Sequence, residues 1–181
     1  MLDFIRCLAY NCNMKIHCDG LANPNPGKST WAFVDLDTGD AKYGYLGHKT
    51  NNVAEYEAVI QAVKYARYFP DERIEIFTDS MLVVNQVTKR WKCKKSELAK
   101  LRDRVLELLP DNVSIGWVRG ADNEADHFTR VAFREATGCE PKLWKKQPKN
   151  SVLPKVCPTC HRAMDEDDNL TEQFRFATEG V

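Results

Sequence analysis

The stretch Arg73-Ile74-Glu75-Ile76-Phe77-Thr78-Asp79-Ser80 decides the fold, because it is a short alternating segment between two helical patterns. Ile74 and Ile76 would lie on one face of a strand, since strand residues two apart share a face. Pro70 ends the helical pattern before this strand, and Ser80 can cap the helix after it. A strand flanked by helices in this way predicts parallel crossover connections within a sheet.

The segments on either side complete the predicted sheet. Further strands are predicted over residues 15–19, 31–36, 41–47 and 113–118, with an Asn-, Pro- and Gly-rich loop over residues 20–29. Helices are predicted after Asn51 or Asn52 as N-cap, after Ser80, after Ser96 and over residues 123–134. This order predicts an α/β fold with one five-stranded mixed sheet, in which three antiparallel strands precede the parallel strands and helices flank the sheet.

Length and composition predict one main domain with an extension at each end. The chain has 181 residues, 43% apolar and 29% charged, which suffices for one buried core with length left over. We expect an N-terminal extension over residues 1–14, a main domain over 15–137 and a tail with a basic linker over 138–181. The cysteine count is odd, the first ten residues lack the apolar region of a signal peptide, and no apolar run could span a membrane. A monomeric cytoplasmic protein is therefore expected.

Four carboxylates stand at the ends of four predicted elements. They are Asp19, Glu55, Asp79 and Asp126. Three of them follow or end an apolar run, where an unpaired charge would be costly. Any one alone could be a turn residue or a complement to a helix dipole. Together they could converge at the carboxyl edge of the parallel strands, and hard oxygen ligands favour Mg²⁺ or Mn²⁺. The pattern predicts a metal site for phosphoryl chemistry.

The carboxylates and their neighbours, in this element order, resemble the type 1 ribonuclease H family over about residues 15–136. The matching motifs are Asp19-Gly20 with the turn Asn23-Pro24-Asn25-Pro26-Gly27, Thr50-Asn51-Asn52 before Glu55, Thr78-Asp79-Ser80, and Asn123-Glu124-Ala125-Asp126. The resemblance implies hydrolysis of the RNA strand of RNA/DNA hybrids by two metal ions, with 5′-phosphate products. It also implies the ligand roles. Asp19 would bridge the two metals, Asp126 would hold the metal that activates water, and Glu55 and Asp79 would hold the other.

The resemblance also implies substrate-binding residues. Near the RNA 2′-hydroxyl we expect Asn23, Asn51, Asn52 and the Glu55 carboxylate, and Ser80 is a further expected substrate-binding residue. Asn51 and Asn52 could instead simply cap a helix. For the phosphates of the DNA strand we expect Lys89, Trp91, Lys92 and Lys94, from a seven-residue stretch with five basic residues. That stretch could also be solvated surface. Two alternatives stay open for the whole chain: a nuclease of the same fold that cuts double-stranded RNA, and a non-catalytic hybrid-binding module.

One departure from the family concerns a histidine. Many members carry a His in a flexible loop shortly before the last Asp, whereas the corresponding residues 118–123 here are shorter and contain none. His127 follows Asp126, but on a helix it would point about 100° away, so we expect a surface residue.

The tail contains Cys157-Pro158-Thr159-Cys160-His161, which has the Cys-x-x-Cys spacing of half a zinc site. A complete structural site needs four ligands, and Cys139, or Cys7 and Cys12, would have to contribute. Free thiols are the alternative. A structural Zn²⁺ held by Cys139, Cys157, Cys160 and His161 is therefore a candidate beside the Mg²⁺ or Mn²⁺ pair.

Overall fold

The computed structural model describes residues 13–141 and two short strands, Lys155–Val156 and Ala163–Met164. The chain divides into two units, Met1–Lys142 and Leu143–Val181. In the second unit the two short strands pair antiparallel. The proposed division into residues 1–14, 15–137 and 138–181 stays a prediction.

One five-stranded mixed sheet forms the centre of the first unit. Its strands are β1 (Met14–Asn23), β2 (Gly27–Asp35), β3 (Ala41–Lys49), β4 (Ile74–Thr78) and β5 (Val113–Trp117). Their order in the sheet is β3-β2-β1-β4-β5. The pairs β1–β2 and β2–β3 are antiparallel, whereas β1–β4 and β4–β5 are parallel. The predicted fold class is confirmed, and β1 is the central strand.

Within residues 13–141, four α-helices flank this sheet. They are α1 (Asn51–Ala66), α2 (Met81–Val87), α3 (Ser96–Leu108) and α4 (Ala125–Thr137). Successive side chains of β1 point to opposite faces of the sheet. Ile16 and Cys18 belong to the hydrophobic core with α1, whereas His17 and Asp19 make hydrogen bonds with residues in and just before α4. Among the described residues, no helix is long and apolar enough to cross a membrane.

The prediction of a loop over residues 20–29 is wrong for most of that range. Both β1 and β2 extend into it, and only residues 24–26 form a turn. Leu21 pairs with Thr30 across the strands, and Thr30 is fully buried. A buried backbone needs partners, and the sheet ladder supplies them despite the turn-forming composition.

The predicted N-caps of two helices are also wrong, because each lies one or two residues after the observed cap. The N-cap of α1 is Thr50, whose side chain accepts a hydrogen bond from the Val53 N–H, so Asn51 is already helical. Likewise Lys95 precedes α3, and Ser96 is its first residue. Threonine is also a favoured N-cap residue, although less so than asparagine, so composition alone did not indicate Thr50.

The last helix begins later than predicted. Residues Gly120–Asp122 form a short 3-10 turn, and Asn123 has extended backbone, so α4 starts only at Ala125. It ends at Thr137, where Gly138 adopts the left-handed conformation with φ of 67°, as glycine often does after a helix. This arrangement sets Asn123 against the sheet before the helix begins.

Candidate active site

Three of the predicted carboxylates converge at the carboxyl edge of β1 and β4. One oxygen each of Asp19, Glu55 and Asp79 lies within 4.8 Å of the other two. Asp19 is in β1, Glu55 is in the first turns of α1, and Asp79 directly follows β4. Asp19 and Glu55 are buried. The parallel pairing of β1 and β4 brings the first and third acids to the same edge.

Backbone contact between β1 and α1 brings the second acid into this group. A Cβ added at Gly20 would overlap backbone atoms of Ala54 and Glu55. Glycine is therefore required here, because any larger residue would push the helix away from the strand. The close approach seats Glu55 beside Asp19.

Burial and the charges of neighbouring acids raise the pKa values of all three carboxyl groups. Burial, with the neighbouring Asp79, raises the pKa of Asp19 to about 7. Burial, with Asp19 and Asp79, raises the pKa of Glu55 well above its ordinary value. Burial also raises the pKa of Asp79, while a hydrogen bond from Asn123 opposes that shift. A bound cation would remove this penalty, because it favours the ionised form of every carboxylate.

An unpartnered oxygen supports this fit. Within the part of the chain that the structure describes, Oδ1 of Asp79 is buried and accepts no hydrogen bond. By contrast, Asp19 Oδ2 accepts from Thr129 at 2.8 Å, and Glu55 Oε2 accepts from Thr78 at 3.4 Å. A buried carboxylate oxygen without a partner is rare in proteins. It is a suitable ligand for a hard divalent cation, so these residues fit Mg²⁺ or Mn²⁺.

The fourth predicted acid does not join this group. Asp126 lies in the first turn of α4 and makes a two-pronged ion pair with Arg130, at 2.8 and 3.1 Å. Its side chain is 47% exposed. Its negative charge nevertheless contributes to the raised pKa of Asp19, behind burial and Asp79. The metal-ligand role of Asp126 stays a prediction.

The comparisons with known proteins agree with this geometry. The sequence profile of the family described as RNase H matches residues 11–133. The chain belongs to the ribonuclease H family. Together with the similarity to a ribonuclease HI and to solved RNase H1 structures, this match confirms the type 1 resemblance.

Several relatives of this ribonuclease H chain are similar over most of the described domain. Ribonuclease HI of Halobacterium salinarum is 38% identical over an alignment of 125 residues, gaps included, which covers 65% of this chain and 63% of that protein. Ribonuclease H of Pelobacter propionicus is 32% identical over an alignment of 144 residues, gaps included, which covers 69% of this chain and 87% of that protein. The chain thus spans less than two thirds of the Halobacterium protein.

Solved ribonuclease H1 structures share the fold. The Halobacterium salinarum enzyme has a TM-score of 0.64 at 34% identity, covering 68% of this chain and 99% of that one. LC11-RNase H1, solved in complex with an RNA/DNA hybrid, has a TM-score of 0.64 at 27% identity, with the same coverage of 68% and 99%.

The residues around the acids include several that sequence reasoning missed. Asn123 is buried and donates from Nδ2 to the Cys18 carbonyl at 3.0 Å. Buried His17 accepts the Glu124 N–H at Nδ1. Both contacts tie β1 to the segment before α4. Asn123 lay inside a recognised motif, but nothing in the sequence indicated that its side chain turns back to the sheet.

Thr129 is the other missed residue, and the sequence did carry a signal for it. Its hydroxyl donates to Asp19, and it is fully buried. It shares the buried face of α4 with Ala125, Ala132 and Phe133. A polar residue on the apolar stripe of a helix needs a hydrogen-bond partner, and this alone would have singled it out.

The predicted residues on the RNA side all lie within four residues of one of the acids in the chain. Asn51 Oδ1 accepts the Ala22 N–H at 3.0 Å, and Asn51 Nδ2 donates to Glu55 at 3.4 Å. Asn23, Asn52 and Ser80 are half-buried. Asn51 therefore ties β1 to the acid cluster rather than capping α1. The contacts of these four residues with RNA stay predictions.

The predicted DNA-facing residues follow α2. Lys89, Trp91, Lys92 and Lys94 are exposed, and half of the Trp91 surface is open to solvent. The backbone N–H of Trp91 donates to the Asn85 carbonyl at 2.9 Å, which anchors the basic stretch to α2. Their exposure leaves them accessible to phosphates, and their role stays a prediction.

The short loop before α4 packs against the acids. A Cβ at Gly120 would lie 2.8 Å from Asp79 Oδ2, so this loop approaches the cluster with its backbone. Arg119 and Asp122 form an exposed ion pair at 3.3 Å within the loop. His127 is exposed and packs edge-on against Phe128, as expected of a surface residue.

The predicted zinc site has no support. Cys139 is an exposed free thiol, and Cys157, Cys160 and His161 lie outside the described residues, as do Cys7 and Cys12.

Proposed function

We propose that this chain is an endonuclease that hydrolyses the RNA strand of RNA/DNA hybrids. The observation that carries the proposal is the convergence of Asp19, Glu55 and Asp79, where one buried carboxylate oxygen of Asp79 has no hydrogen-bond partner. Membership of the ribonuclease H family and the similarity to LC11-RNase H1, which was solved with a hybrid, support the same substrate.

The acid cluster would hold two divalent cations, Mg²⁺ or Mn²⁺. When bound, such ions activate a water nucleophile and stabilise the leaving 3′ oxygen, which gives 5′-phosphate and 3′-hydroxyl ends. Asp19 would be shared by both ions, Glu55 and Asp79 would bind one, and Asp126 would bind the other. For this last role Asp126 must exchange its contact with Arg130 for the cation.

Strand choice would come from polar groups beside the cluster. Only RNA offers a 2′-hydroxyl, which can both donate and accept a hydrogen bond. Asn51 contacts Glu55, so a ribose held by Asn51, Asn52, Asn23 and Ser80 would bring its phosphate to the acids. The basic stretch at residues 89–95 would hold the DNA strand through its phosphates.

One assay distinguishes this function from two alternatives, a nuclease that cuts double-stranded RNA and a non-catalytic hybrid-binding module. Cleavage of labelled RNA/DNA hybrid, double-stranded RNA and double-stranded DNA should be compared in Mg²⁺, in Mn²⁺ and with a chelator. The proposal requires cleavage of the hybrid RNA strand alone, with metal dependence and 5′-phosphate ends. Comparable cleavage of double-stranded RNA would favour the same-fold alternative. Hybrid binding without cleavage in either metal would favour a non-catalytic module.

A further inference from the structure

A chain of buried hydroxyls connects three elements to the acid cluster. Thr30 in β2 donates from Oγ1 to the Thr129 carbonyl at 3.0 Å. Thr129 in α4 donates from its own Oγ1 to Asp19 Oδ2 at 2.8 Å. Both threonines are fully buried. The helix and two strands are therefore held in register beside the carboxylate that lies at the centre of the site.

The Thr129 hydroxyl has a choice of acceptors. It also lies 2.9 Å from the carbonyl of Asp126, one turn earlier in the helix. A hydroxyl carries one hydrogen, so it donates to one acceptor at a time. The carboxylate is the stronger acceptor because hydrogen bonds to charged groups are shorter and stronger.

Helix packing alone does not call for a hydroxyl at this position. The other buried residues of α4 are Ala125, Ala132 and Phe133. An apolar side chain of similar shape would fill the same space without the cost of burying a polar group. The hydroxyl is useful only through the groups it contacts, and the charged one is Asp19.

We propose that Thr129 is a positioning residue of the nuclease site, whose hydroxyl fixes the plane of the Asp19 carboxylate for cation binding. The terminal torsion of aspartate is broad, so an unrestrained carboxylate samples many orientations. The donated hydrogen bond selects the orientation in which Asp19 meets Glu55 and Asp79. This proposal rests on the proposed function, since it requires a cation at these acids.

The test measures cation affinity without substrate. Mn²⁺ binding is followed by the electron paramagnetic resonance signal of the free ion, for the parent chain and for Thr129→Val, Thr129→Ala and Thr129→Ser. Loss of a group that orients a metal ligand typically weakens metal affinity about 10- to 100-fold. The Val and Ala variants should show this loss, whereas Ser, which keeps the hydroxyl, should bind nearly as tightly as the parent.

A matched control comes from the same helix. The Thr137 hydroxyl donates to the Phe133 carbonyl at 2.7 Å and contacts none of the acids. Thr137→Val should therefore leave Mn²⁺ affinity unchanged. In cleavage assays the Val and Ala variants at residue 129 should need more Mg²⁺ for half-maximal rate, while KM for the hybrid stays the same.

Separate outcomes overturn the two proposals. Parent-like Mn²⁺ affinity in Thr129→Val and Thr129→Ala, with affinity lost in Glu55→Gln, would overturn the role of Thr129 alone. The same holds if Thr129→Ser binds as weakly as the Val variant. If Glu55→Gln bound Mn²⁺ as tightly as the parent, the metal site itself would be refuted, and with it the proposed function. Should the Val variant not fold, the Ala and Ser pair makes the same comparison.

Discussion

Gly20 and Glu55 touch through their backbones, so that the central strand and the first helix approach more closely than any side chain would permit. A hydrogen bond from the Gly20 N–H also opposes the rise in the pKa of Glu55 that burial and Asp19 cause. One residue without a side chain thus serves both the packing of α1 and the position of an acid.

The variant Gly20→Ala tests this contact. The added methyl meets backbone rather than a movable side chain, so α1 must shift, at a cost of about 1–3 kcal/mol in the free energy of unfolding. We expect weaker Mn²⁺ binding as well, because Glu55 moves with the helix. Urea unfolding and Mn²⁺ titration measure the two effects.

Gly47→Ala is the control for that experiment. Gly47 has φ of 77°, and a Cβ there would meet nothing within 4 Å. This variant should lose stability through backbone strain but keep parent affinity for Mn²⁺. If Gly20→Ala also kept full affinity, the contact would matter for packing only.

Asp79 is the acid with the unpartnered oxygen, and Asp79→Asn should separate binding from cleavage. A neutral amide is a poor ligand for Mg²⁺, so cleavage should disappear while hybrid binding persists. Without metal, removal of one like charge should raise the free energy of unfolding by about 0.5–2 kcal/mol. Cleavage assays, hybrid binding and urea unfolding with chelator give the three readouts.

Asp122→Asn serves as the matched change for Asp79→Asn. Asp122 is exposed in the adjacent loop and pairs with Arg119. Cleavage should stay near the parent rate, because exposed ion pairs contribute little. Retention of cleavage within about tenfold of the parent rate in Asp79→Asn would contradict the ligand assignment.

Stability should depend on pH through the buried acids. The pKa of Asp19 is raised, by burial and by Asp79, from 3.8 to about 7. The folded protein therefore holds a proton that the unfolded chain releases above about pH 4. The resulting stability is fully present below the ordinary pKa and is lost as pH rises through about 7. Glu55 contributes with the same sign.

Unfolding at several pH values, from about pH 5 to about pH 8, measures this slope. With chelator, the free energy of unfolding should fall as pH rises. Saturating Mg²⁺ should reduce or reverse the fall, because the cation favours the ionised acids. In Asp19→Asn the free energy of unfolding should depend less steeply on pH. If its pH dependence equalled that of the parent, groups other than Asp19 would be responsible.

The part of the site that could be predicted from the sequence is the part where the positions of the acids in the chain and their chemistry indicate the same site. Acids that end strands or begin helices predict their own convergence once the strand order is known, and this found Asp19, Glu55 and Asp79. Local composition misled at residues 20–29, because buried strand pairing outweighs turn propensity there. The pairing of Asp126 with Arg130 depends on rotamers that spacing does not determine, although the two are four residues apart on one helix.

Contacts between distant elements were harder to predict. The hydrogen bond from Asn123 to Cys18 joins residues 105 apart in the chain, and that from Thr129 to Asp19 joins residues 110 apart. Each depends on how closely α4 approaches β1, which is a property of the packed core. Only the polar character of Thr129 on a buried helix face pointed to such a contact.

The basic stretch after α2 gives the last prediction. Lysines that contact phosphates release counterions, which makes hybrid affinity fall with salt. The triple variant Lys92→Gln, Lys94→Gln and Lys95→Gln, made with Asp79→Asn to prevent cleavage, should bind hybrid more weakly. The slope of log affinity against log salt should become shallower by roughly one unit for each phosphate that the variant no longer neutralises. Binding measured at several salt concentrations gives this slope.

As a control, Lys64→Gln and Arg67→Gln remove exposed cations at the far end of α1 and should leave the slope unchanged. If both sets of variants gave the parent slope, these lysines would be solvated surface, and the DNA strand would have to be held elsewhere.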